Sequence, residues 1–243
     1  MGKLFLSLLL SLVLAAPALA NNTGAPRQSA RETVKQQRRQ TLEQIKETRE
    51  TARKEMRDKR EAFKKDFEAR QAELKKQIEA KREELKQRLE KIKDERKKNL
   101  VQKIDKSLDE LNARRLKHYS AVLDQIEKVL ERVGKRAERA EERGLDVAAV
   151  KSAEEAAKAA IAASREAIKT QAGKTYKIEI TTEMGLKQAV QKARQALHAD
   201  LKKVEETVKA AREAVRKAAV ALAQVPRVDE PESPTSTPPT TSQ

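Results

Sequence analysis

The chain has 243 residues, with 54 Lys plus Arg against 38 Asp plus Glu, a formal charge of +16. It has no Cys, two His and only 2% aromatic residues. This excludes a disulfide framework and a thiolate metal site, leaves little for a catalytic cluster, and provides too few rings for an ordinary globular core. With 38% of residues charged and Ala, Glu, Lys, Leu and Arg prominent, the composition is that of long helices, and the fold class is read as all-α.

Lys3 precedes an apolar run from Leu4 to Ala16, Pro17 breaks it, and Ala18-Leu19-Ala20 closes in a small-x-small pattern. That is a secretory signal over 1–20, with cleavage following Ala20. Retention as an anchor is the alternative reading, which the run disfavours because it is shorter than the roughly 18–20 residues that span a bilayer. No Cys follows the run, which excludes a lipoprotein. The mature chain is expected to be exported: periplasmic, secreted or cell-surface.

Residues 21–29 read as a flexible N-terminus. Ser29-Ala30-Arg31-Glu32 has the spacing of a capping box, and Arg143-Gly144-Leu145-Asp146 reads as a stop followed by a new cap. Between Arg27 and Val133 there is neither Gly nor Pro. The expectation is one uninterrupted helix over 30–143, about 170 Å if straight.

Inside it, Ile45, Met56, Phe67, Ile78, Leu89, Leu100, Leu111, Val122 and Val133 recur every 11 residues, and Ala52, Phe63, Leu74 and Leu85 form a second series. An 11-residue repeat predicts a nearly straight rod over 30–99. The candidate oligomer seam is Ile45, Ala52, Met56, Phe63, Phe67, Leu74, Ile78, Leu85 and Leu89. The stripe is thin, because Thr48, Lys59, Arg70 and Lys81 occupy its gaps and only Ile92 makes that position apolar. Residues 27–98 hold 26 basic and 16 acidic residues, a net of +10, with acid-before-base pairs such as Glu55/Lys59, Glu84/Arg88 and Asp94/Lys98. Two readings stay open: a coiled coil that shelters the stripe against a partner, which the regular series favours, or a lone charged helix.

From Tyr119 the period becomes a heptad: Tyr119, Leu123, Ile126, Leu130, Val133, Ala137 and Ala140. A second helix, about 147–172, places Val147, Val150, Ala157, Ile161, Ser164 and Ile168 on one face. A third, about 183–224, places Leu186, Val190, Ala193, Leu197, Leu201, Val204, Val208, Ala211, Val215, Ala218 and Leu222 likewise. Residues 100–225 are thus read as an antiparallel three-helix bundle. The second helix is shorter than its neighbours by about 24 Å. The linker 173–182, where Tyr176, Ile178 and Ile180 alternate with Lys177 and Glu179, is expected to be extended and to continue along the bundle groove. The alternative is that it pairs with another chain as a sheet edge. Residues 226–243, rich in Pro, Ser and Thr, read as a disordered tail.

His118 and His198 flank seam residues, and no His-x-x-x-His or Glu-x-x-His spacing is present. No Gly-rich phosphate loop occurs; Gly144, Gly173 and Gly185 fall at helix ends. The expectation is no enzyme, no cofactor, no metal and no small-molecule substrate. Acid interleaved with base, and the lack of an aromatic platform, argue against nucleic acid.

The signal, the charged rod, residues 140–163 (AEERGLDVAAVKSAEEAAKAAIAA), the segment GKTYKIEIT and residues 197–218 (LHADLKKVEETVKAAREAVRKA) together resemble exported coiled-coil and helical-bundle proteins of candidate-phylum, Patescibacteria-like bacteria. That resemblance implies the same architecture and no transferable activity. A fainter similarity is to periplasmic holdase chaperones of the Skp type, whose trimer body needs several strands that this chain lacks. The expectation is a non-enzymatic exported structural or protein-interaction protein of the bacterial envelope, with a second copy or another envelope protein as partner. The alternative is a holdase-like chaperone or a binder of anionic envelope polymer or membrane surface.

Overall fold

A computed structural model describes residues 25–228, with side chains from residue 31 onward. The expected signal, its cleavage site and residues 229–243 lie outside them. Among the described residues the protein is all-helical, with four helices: α1 (Ala25–Leu89), α2 (Glu95–Glu142), α3 (Ala148–Ala172) and α4 (Leu186–Ala223). The chain forms two compact units, one reaching to Ala52 and one starting at Arg53.

α1 starts at Ala25, upstream of the Ser29–Glu32 motif, so that motif does not mark the start of the helix. In the first unit the helix is polar around most of its surface. Thr41, Thr48 and Thr51 donate their hydroxyls to the carbonyls four residues back, as helical Thr does when it has no partner outside its helix.

The main correction is at residues 90–94. The expected single helix over 30–143 is broken there, although neither Gly nor Pro is present. Asp94, expected to pair with Lys98 along a continuous helix, instead takes an extended conformation and caps α2. Its carboxylate accepts from the Arg96 and Lys97 amides at 2.9 and 3.2 Å. An Asp at this position stabilises a new helix start by about 1 kcal/mol. Leu89, the last residue of α1, and Ile92, within the break, are both buried. The apolar stripe of α1 thus finds shelter by folding back on its own chain. The stripe is interrupted at the start of α2, where Leu100 is 58% exposed and Val101 buried, but its later positions Leu111 and Val122 pack against the core and Val133 lies within it.

The direction of each helix follows from its partners. Arg53 pairs with Glu138, Arg60 with Glu131 at 3.1 Å and Lys81 with Asp109 at 2.8 Å, so α1 runs against α2. Arg165 with Glu127, and Gln171 with Asn112, set α3 against α2. Ser164 Oγ donates to the Thr207 carbonyl at 2.7 Å and Lys174, just past α3, pairs with Asp200 at 2.9 Å, setting α4 against α3. Every residue that the sequence placed on the inner faces of the last three helices, from Tyr119 to Leu222, is buried.

The helices differ in how closely they approach. α2, α3 and α4 come within 8 Å of one another, Cα to Cα, whereas residues 53–89 of α1 do not come that near to them. Small residues at the contact, such as Ala157, Ala193, Ala211 and Ala218, allow the close approach. α1 instead reaches across with Phe63, Phe67, Leu85 and Leu89, all in the same apolar core.

Gly144, at φ +83°, occupies the left-handed position that ends α2. The Leu145 amide bonds back to the Ala140 carbonyl at 3.0 Å, closing the stop that the sequence marked. Residues 226–228, expected to belong to the loose tail, form a turn: Val228 packs on the core and its carbonyl accepts from Arg143 at 2.7 Å.

Candidate functional site

The nine seam residues do not share one fate. Phe63, Phe67, Leu74, Leu85 and Leu89 are buried within this chain. Phe63, Phe67, Leu85 and Leu89 join the apolar core that the other helices and the linker share; the Arg165 guanidinium lies 5.5 Å from the Phe63 ring centroid, and Phe63 stacks on Phe67. Ile45, Met56 and Ile78 are half-buried and Ala52 is exposed. Upstream, Val34 stands one 11-residue step before Ile45 and is 63% exposed. The stripe therefore retains uncovered apolar surface in the first unit.

Lys81, read as a charged gap in the stripe, is buried at 5% exposure. Its ammonium lies 3.1 Å from Asp105 and 2.8 Å from Asp109 on α2. A second ionic group joins three helices: Glu127 on α2 accepts from Arg165 on α3 at 2.6 Å, with Arg60 on α1 3.4 Å away. A third group, a chain of hydrogen bonds ending on a carboxylate, runs through the bundle. Gln171 Nε2 donates to Asn112 Oδ1 at 3.0 Å and to the Tyr176 hydroxyl at 2.6 Å, and Tyr176 donates to Asp200 at 2.9 Å. Burial pushes the Tyr176 phenol up, and Lys174 holds the Asp200 carboxyl below its ordinary range.

Burial also lifts the carboxyls of Asp105, Glu127 and Glu154, in each case against the pull of nearby cations. Glu154 is the simplest of the three. Its Oε1 has no hydrogen-bond partner, and a Cβ at Gly134 would stand 3.3 Å from it. Since the folded protein binds this proton more tightly than the unfolded chain, the stability it contributes is full below the ordinary carboxylate range. It is lost as pH rises through the raised value. Glu154→Gln is expected to raise the melting temperature at neutral pH, with the gain vanishing in acid. Equal gains at both pH values would refute this account.

The extended linker is placed by its side chains. Tyr176 and Ile178 are buried and Ile180 half-buried, while Lys177 and Glu179 face outward. Lys177 pairs with Glu84 at 2.9 Å, Glu179 pairs with Arg88, and Glu183 pairs with Lys97 at 2.6 Å. Lys177, and then Arg88, hold the Glu84 carboxyl below its ordinary range. Among the described residues, no backbone group of 175–181 bonds to another backbone group. Beside the segment lies an open groove of about 660 Å³, walled on the far side by Gln188, Gln191 and Gln195 of α4. Met184, just beyond, is 97% exposed.

His118 and His198 are both exposed, and among the described residues no group of three His, Cys, Asp or Glu could hold a metal ion. No described helix is long and apolar enough to cross a membrane. The buried polar groups that cross-link the helices were not found from the sequence. Of these, the spacing puts only Ser164 on an inner face and Lys81 on the α1 stripe, and Asp105, Asn112, Glu127, Arg165 and Gln171 are indistinguishable in the sequence from solvated positions. No family model, curated protein or solved structure matches this chain.

Proposed function

We propose that the protein is a non-enzymatic exported structural or protein-interaction protein of the bacterial cell envelope. In this reading α2, α3 and α4 form a three-helix docking unit, and the upstream part of α1 engages a second copy or another envelope protein. The observation that carries it is the unsheltered continuation of the apolar repeat, Val34 exposed and Ile45 half-covered, on a helix whose other faces are charged. A regular apolar series that its own chain does not cover is the usual mark of a helix-pairing surface.

Light scattering of the full chain across a salt titration tests this. The expected result is an oligomer indifferent to salt whose mass falls on Ile45→Glu. A monomer, or an oligomer that Ile45→Glu leaves intact, would overturn it. Salt-sensitive retention on anionic vesicles would transfer support to the anionic-surface reading, for which the net charge of +16 is the physical basis.

A further inference from the structure

We infer that residues 175–181 form an antiparallel edge-to-edge pair with the same segment of a second copy. An extended stretch whose backbone donors and acceptors have no backbone partner is a template for strand addition. Here one flank of it opens on the groove beside α4. The choice of occupant follows from the residues themselves. Antiparallel pairing about a two-fold axis at Ile178 sets Thr175 opposite Thr181, Tyr176 opposite Ile180, Lys177 opposite Glu179, and Ile178 opposite itself. Hydroxyl with hydroxyl, aromatic with β-branched, and cation with anion are the cross-strand combinations that stabilise sheets.

The surroundings suit the same partner. Lys177 and Glu179 already touch Glu84 and Arg88, so pairing would join the two copies through one alternating row of charges. Gln188, Gln191 and Gln195 on the groove's far wall carry amides that can both donate to and accept from an incoming backbone. The anchoring of Tyr176 to Gln171 and Asp200 holds the segment extended before any partner arrives, which lowers the ordering cost of association. A seven-residue strand pair is a small interface, so the dimer is expected to be weak.

This surface is separate from the α1 stripe, and the test is made in the full chain carrying Ile45→Glu, so that helix pairing does not contribute. Lys177→Glu places like charges opposite each other on both sides of the axis, and Glu179→Lys does the same with the opposite sign. Sedimentation equilibrium is expected to show each variant dimerising about tenfold more weakly than its parent, while an equal mixture of the two recovers the parent affinity. A folding defect could not produce that recovery. As a second readout, the chain has no Cys, so Lys177→Cys mixed with Glu179→Cys should form an inter-chain disulfide, since opposed residues lie within bonding reach. The inference is overturned if the parent is monomeric at every soluble concentration, if the separate variants associate as well as their mixture, or if the disulfide does not form.

Discussion

Replacing Arg165 by Met will cost the protein about 3–5 kcal/mol, the largest loss expected of any single side chain here. Arg165 is buried on α3 and donates to Glu127, which is fully buried on α2, at 2.6 Å. Without the guanidinium, Glu127 keeps only Arg60 at 3.4 Å, and one of its oxygens already lacks a hydrogen-bond partner. The cost is that of an under-compensated interior charge rather than of a lost contact. Two consequences follow from that cause. The deficit should shrink as pH falls, because the isolated carboxyl can take up a proton and become neutral. The double variant Glu127→Leu with Arg165→Met should also recover most of the loss, because an apolar pair of similar bulk carries no charge to desolvate. Urea unfolding of the three chains at two pH values checks both. A double variant no more stable than Arg165→Met would show that the lost guanidinium contact with the Phe63 ring, not the uncompensated charge, carries the effect.

Lys81→Met is expected to cost about 3 kcal/mol by a different route. Lys81 extends from α1 into a site formed by Asp105 and Asp109, two acids one turn apart on α2. Removing its ammonium leaves two neighbouring carboxylates, one fully buried, with only the half-exposed Arg82 to offset them. α1 stands off from the other helices and is held by long side chains, so the damage should be local. Hydrogen exchange should show lost protection across residues 53–89, with α3 and α4 protected as before. Adding Asp105→Leu should restore α1. Uniform loss of protection over all four helices would mean that α1 is integral to the core rather than docked on it.

Much of this architecture could be read from the chain. The heptad from Tyr119 to Ala140 and the apolar faces of α3 and α4 are all buried as expected, because amphipathic helices encode their inner faces in a local period. The Gly144 stop was equally legible, since a left-handed residue before an apolar one is a local signal. Even Lys81 was placed on the α1 stripe by spacing alone. What spacing could not supply was its destination: the carboxylates that receive it lie 24 and 28 residues further along the chain, on a helix running the other way. The break at 90–94 is not legible for a related reason. No helix-breaking residue marks it, and Asp94 in a charged stretch reads as one more solvated acid until the fold uses it as a cap.

Composition and period alone thus determined that the chain is helical, which faces turn inward and where the last helices begin and end, because each depends on neighbours within a few turns. Only the tertiary structure decided that α1 folds back on its own chain, that its Phe and Leu residues from Phe63 to Leu89 are buried within that chain, and that Asp105, Glu127 and Arg165 are interior rather than surface groups. Those outcomes depend on which of several possible partners covers a given apolar face. Folding back within one chain and pairing with another bury similar surface, and the local pattern is the same for both.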